Sequence, residues 1–245
     1  MRRDLRIVAV TMLLGAGWLA VEHGRVALAD MSTFRVRDVE VRGARFIERD
    51  QVVTLLRLEP ETSVWTDPIV WIERLERHPL ILEADVSRRL PGGLVVTIRE
   101  RRPVALAPAP ALQPLDEHGV WLPVDPATYR LDLPIIASDR QRAPNARYAP
   151  GPVRALAAEV GRLMSADTAF LQRVSELSWE EDRSLRVRWT DPPVDFIMPP
   201  STPVGRLREG LHALADAGAR DPRNPPDEID LRFADQVVVR RTPEQ

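Results

Sequence analysis

The sequence predicts an α+β protein with an N-terminal single transmembrane helix, a β-α-α-β-β unit, and a mixed, largely antiparallel β domain with two helices. Three observations carry this. Residues 7–21 run without a charge. Between residues 34 and 100 the apolar period switches from two to 3.6 and back. Between residues 174 and 198, three alternating runs follow one another, split by EEDRS and DPP.

The N-terminus MRRDLR sets Arg2, Arg3 and Arg6 against Asp4, and IVAVTMLLGAGWLAV follows. Two readings stand. In one, residues 1–6 are a short cytoplasmic tail, 7–21 a membrane signal anchor and 22–33 a linker. A span needs about 20 apolar residues, and Leu5 with a snorkelling Arg6 makes up the shortfall. In the other, Ala27-Leu28-Ala29 is the cleavage site of a signal peptide, which leaves a soluble protein. Both place the chain from about residue 30 outside the cytoplasm. Beyond residue 21 there are 31 arginines against 35 acidic residues, so no basic field draws nucleic acid. All 34 basic residues are arginine, and cysteine is absent, which excludes disulfides, thiolate catalysis and cysteine zinc sites.

The elements follow in order. FRVRDVEVRG (34–43) alternates in two pieces with a slip between them, the pattern of one bent or bulged strand. Residues 48–58 set Val52, Leu55 and Leu56 on one helical face, and Pro60 closes it. Asp67-Pro68 reads as an N-cap before a helix over 69–77 with Ile69, Ile72 and Leu75 on its stripe. Leu82, Ala84 and Val86 alternate with polar residues, and so do Leu94, Val96 and Ile98 after Pro91-Gly92-Gly93. Four prolines between 102 and 115 mark a joint between domains. Beyond it, 119–124 and 133–137 are short strands, and 152–164 is a helix. Val174–Trp179, Leu185–Trp189 and Val194–Met198 are strands. Residues 204–217 form a helix closed by Gly218 as C-cap. Residues 229–240 hold two strand pieces around Ala234-Asp235.

No candidate chemistry gathers. Pro91-Gly92-Gly93 opens a strand, not a helix, so it is a hairpin turn and not a phosphate loop. His23, His78, His118 and His212 have no metal-ligand spacing. Asp116-Glu117-His118-Gly119 and Glu180-Glu181-Asp182 read as polar turns, and no serine sits in a nucleophile motif. The RERR run (99–102) reads as a solvated strand edge. The reading is a non-enzyme with no cofactor, metal or small-molecule substrate.

The order strand-helix-helix-strand-strand resembles a POTRA domain of the FtsQ/DivIB type of bacterial cell division protein. FRVRDVEVRG carries the resemblance, as does the pattern P-x-I-x-x-A-x-V-x-R-x-x-P over 79–91 with E-R-x-P-V-A over 100–105. LDEHGVWLPVD, LDLPII, RVSEL and IDLRFADQVVVR are similar to the segments that follow the POTRA domain in that family. The resemblance implies a POTRA domain over 34–102, a β domain over 103–240 and a tail over 241–245. It implies a bitopic inner-membrane scaffold at the division septum. The scaffold would join FtsB/DivIC-like and FtsL-like partners to septal cell-wall synthesis, and its POTRA domain would meet other septal proteins. By the same resemblance a late strand receives the FtsB-like partner by strand addition, on Phe233, Gln236, Val237, Val238, Val239 and Arg240. The alternative is a POTRA-bearing module for export or outer-membrane assembly.

Overall fold

A computed structural model describes residues 31–139 and 142–241. The expected anchor (7–21), the Ala27-Leu28-Ala29 site and residues 242–245 lie outside them. Among the described residues no helix is long and apolar enough to cross a membrane. The chain divides between Glu100 and Arg101 into two compact units.

The first unit contains β1 (Asp38–Arg42), α1 (Arg49–Leu56), α2 (Ile69–Glu76), β2 (Ile81–Arg89) and β3 (Gly93–Glu100). Its sheet has the order β1-β3-β2, with β1 parallel and β2 antiparallel to β3. The helices cover it with Val52, Leu56, Trp71 and Leu75, all buried. Residues 34–43 are not one strand. Ser32–Phe34 is a 3-10 turn, and Phe34 and Val36 bond instead to Val64 and Thr62. The slip in alternation marks this change of partner. On α2 the buried pair is Trp71 and Leu75, while Ile69 is half exposed. The helix turns to bury its indole, the larger apolar surface.

The turn at Pro91-Gly92-Gly93 joins β2 to β3 as expected, for a different reason. Neither glycine has positive φ. A Cβ on Gly92 would stand 2.7 Å from the Arg35 carbonyl oxygen, and one on Gly93 2.9 Å from that of Arg89. Close backbone approach selects glycine here. Positive φ occurs instead at Gly43 (+82°), where a Cβ would lie 2.1 Å from the Ile98 carbonyl oxygen. Both outer strands of this sheet carry a side-chain cap. Arg49 donates to the Val39 carbonyl over 2.6 Å, and Glu76 accepts the Ala84 N–H over 3.2 Å.

The second unit contains β4 (Ala105–Pro108), β5 (Leu112–Leu115), β6 (Ile135–Ile136), α3 (Gly151–Ala166) and the one-turn α4 (Thr168–Leu171). Then come β7 (Val174–Trp179), β8 (Leu185–Trp189), β9 (Val194–Met198), α5 (Val204–Arg220), β10 (Glu228–Asp230) and β11 (Val238–Arg240). One sheet runs β11-β10-β9-β8-β7-β6-β4-β5. It is more evenly mixed than alternation predicts. The neighbours β4/β6, β6/β7 and β9/β10 are parallel, and the other four pairs are antiparallel. Alternation reports burial and not direction. A helix between two neighbouring strands makes a parallel crossover, as α3 and α5 do. The one-turn α4 is a third helix beside the two expected.

The proline-rich stretch that follows the division between the units folds as a hairpin. β4 pairs with β5, with Leu106 opposite Pro114. Pro114 fits because β5 ends the sheet, where a missing N–H breaks no ladder, and Pro108 is the last residue of β4. The N–H of Leu122 donates to the Pro114 carbonyl, and Leu115 bridges Trp121, so the outer side of β5 is partly covered. Residues 119–124 make only such isolated bridges. Gly218 lies inside α5, which runs on to Arg220 and ends at Asp221. The core gathers Val153, Leu156, Val160 and Leu163 of α3 over the sheet. There Phe170, Trp189 and Phe196 meet with ring centroids 5.0–5.4 Å apart.

Candidate partner-binding edge

The last strand, β11, ends the eight-stranded sheet. On one side it pairs antiparallel with β10, Asp230 opposite Val238, Ile229 opposite Val239 and Glu228 opposite Arg240. On the other it meets no strand among the described residues. The bonding of β10 fixes which groups face that open side. The Leu231 N–H donates to Ile197, and the Asp227 carbonyl accepts from Asp195. At a period of two, Ile229 also faces β9, and Glu228 and Asp230 face β11. Their partners Arg240 and Val238 therefore turn their main-chain groups inward. Those of Val237 and Val239 face outward.

The side chains divide as the pleat requires. Val237 and Val239 pack in part against the core. Val238 is half-buried and Arg240 exposed, on the opposite face. Phe233 is 43% exposed, and Gln236 is exposed in the loop before the strand. Thus five of the six named residues lie on β11 or the loop residues next to it, and Phe233 stands three residues further back. Arg206 of α5 fixes that loop by donating to the carbonyls of Phe233 and Gln236.

A ladder of ion pairs crosses the face that carries Arg240. Arg188 of β8 bonds Asp195 of β9 and lies 3.6 Å from Glu176 of β7. Arg186 reaches Glu180, Asp195 and Glu228. Arg240 reaches Glu228 and Asp230, and Arg232 joins Asp230 to Asp182. Asp230 is fully buried, and its hydrogen bond from Arg232 holds its carboxyl below the usual range. The Ser184 hydroxyl, then the Ser184 N–H and Arg232, lower Asp182 to about 2. Single exposed pairs contribute little, but a network ties β11 to the interior of the sheet. Sequence reading missed Arg206, Asp230 and the ladder. Arg186 and Arg188 in LRVRW, facing Asp195 in VDFIM, are its visible trace.

Asp116 is buried, and Glu117 and His118 are exposed. Asp116 accepts the N–H groups of His118 and Val120 and the guanidinium of Arg101. His118 lies exposed beside Glu117. Among the described residues no group of three His, Cys, Asp or Glu side chains is placed to hold a metal ion.

The arrangement defines a two-unit α+β protein whose first unit has POTRA topology and whose second ends, among the described residues, in an open sheet edge. Residues 34–101 match the family model for the FtsQ-type POTRA domain. The chain is 29% identical to cell division protein FtsQ of Salinibacter ruber (strain DSM 13855 / M31), over 99% of this chain and 95% of that protein. It is 26% identical to FtsQ of Geobacter sp. (strain M21), over 84% of this chain and 76% of that protein. It is 28% identical to cell division protein DivIB of Geobacillus kaustophilus (strain HTA426), over 62% and 56%. The chain thus carries an FtsQ-type POTRA domain and is similar over most of its length to cell division proteins of the FtsQ/DivIB type.

Proposed function

We propose that this cell division protein acts as a membrane-anchored scaffold. Residues 7–21 hold it in the inner membrane, and its remaining domains lie outside the cytoplasm. Its β11 edge receives one strand of an FtsB/DivIC-like partner, which brings an FtsL-like protein with it, and so links the POTRA domain's septal partners to cell-wall synthesis. One observation carries the reading: β11 ends the sheet with the main-chain groups of Val237 and Val239 facing outward. An added strand satisfies those groups, and side chains such as Phe233 supply selectivity.

Val239→Pro removes one outward donor and leaves the inward bonds of Val238 and Arg240 in place. The expected result is at least a tenfold loss of affinity for the FtsB-like partner, about 1.4 kcal/mol, with an unchanged circular dichroism spectrum. A folded variant that binds as tightly as the parent refutes the edge assignment. A fluorescent fusion that never gathers at midcell refutes the septal role.

A further inference from the structure

A cavity of about 550 Å³ lies in the second unit, between the second half of α5 and the end of the β8–β9 hairpin. That is the size of ligand sites in general. One wall is a stripe of α5, Leu211, Leu214 and Gly218. Leu207 and Gly210 of this helix are buried, while Leu211 and Leu214 pack against the core and stay partly exposed. Facing it are Trp189 and Phe170, with Pro225 and Pro226 closing the side. Rings and prolines make a stiff wall that loses little freedom on binding.

Two charges line the cavity, and they are not equivalent. Asp167 accepts the Phe170 N–H over 3.0 Å as the cap of α4. Arg173 has no carboxylate partner among the described residues, and its guanidinium sits 5.4 Å from the centre of the Trp189 ring. Trp189 is itself 4% exposed, and its indole N–H has no acceptor among the described residues. The wall therefore offers apolar surface and an exposed guanidinium with no carboxylate on it, while the Asp167 carboxylate is engaged at the α4 cap. From Leu211 to Gly218 the stripe runs about 10 Å, the length of about three residues of extended chain.

We infer that this cavity binds a short extended segment of a partner protein, with a large apolar side chain inserted beside Trp189 and an acidic neighbour on Arg173. The length of the stripe favours a peptide over a free carboxylic acid. This site is separate from the β11 edge, and Val239→Pro leaves it unchanged.

The test is a nitrogen-15 spectrum of the full-length chain titrated with acetyl-Ala-Phe-Asp-amide. The chain has six tryptophans, and the Trp189 indole signal is the one that Trp189→Phe removes. That signal is expected to shift and saturate. Replacing Asp by Lys in the peptide should weaken binding roughly fivefold, the size of one exposed charge pair. Arg173→Glu should reverse that preference while the other indole signals stay in place, which shows that the fold is kept. A Trp189 signal that does not move overturns the proposal. So do equal affinities for the Asp and Lys peptides, or binding that survives Phe→Ala in the peptide. Phenylacetate binding as tightly as the peptide assigns the site to free carboxylates and overturns it as well.

Discussion

Arg101 donates from Nη1 to Oδ2 of Asp116 over 2.8 Å, with the two side chains 12% and 4% exposed. The other carboxylate oxygen holds the turn before Val120, whose Gly119 takes φ +71°. Asp116 is thus the hub of a fold element. Asp116→Ala leaves Arg101 buried without its counter-ion and is expected to destabilise the second unit by about 3 kcal/mol or more. Asp116→Asn keeps the turn and should fall between variant and parent. Urea denaturation followed by tryptophan fluorescence measures both; an Asp116→Ala midpoint equal to the parent's would contradict the role.

Glu100 has the matching place in the first unit. Its Oε1 accepts the N–H groups of Arg45, Phe46 and Ile47 at 2.9–3.0 Å, just ahead of α1. Glu100→Gln removes the charge and should lower stability by about 1.5–3 kcal/mol. Hydrogen exchange at these three amides should rise first. Unchanged protection there would contradict the assignment.

Two glycines should respond in opposite directions. Gly43→Ala combines positive φ with a Cβ driven onto the Ile98 backbone, and is expected to cost about 2 kcal/mol or more. Gly218→Ala meets nothing within 4 Å inside a helix and should gain about 0.5–1 kcal/mol. Melting temperatures of the two variants decide the matter by their sign.

The carboxylates of the ladder fix the acid limit of the second unit. Asp182 and Asp230 both have lowered pKa values, Asp182 to about 2 from 3.8. The folded state then binds fewer protons than the unfolded state, so their contribution is fully present above about pH 4 and is lost as pH falls toward 2. Melting temperature should be level at neutral pH and drop through that window. Asp182→Asn should flatten the drop, and an identical profile would count against this source.

The first unit was legible because its helices and strands each have a single period, bounded by Asp67-Pro68, Pro79 and Pro91. The ends of elements were not. The stripe on α2 turned toward Trp71 because burial of the indole outweighs the pattern of the smaller residues. β4 and β5 hid among prolines, since a strand at a sheet end tolerates them. By resemblance IDLRFADQVVVR points to a late strand, and Val238, Val239 and Arg240 lie on it, while Phe233, Gln236 and Val237 precede it. That β11 is the last strand of the sheet follows from the order of all eight, which no local pattern contains. Arg206, Arg232 and Asp230 escaped because their partners lie on other strands or past a loop.

The two ends of the large sheet differ, since β5 is partly covered by residues 121–122 and carries Pro114, while β11 meets no further strand among the described residues. The proposed strand addition to this unit would therefore have a valence of one. A partner strand extends the sheet in a single direction, and the sheet cannot pass the extension on through its far side. The side-chain caps of Arg49 and Glu76 on the small sheet point the same way. In the proposed scaffold, assembly through β11 would end in closed one-to-one pairs rather than growing fibres, a stoichiometry set before any affinity is considered.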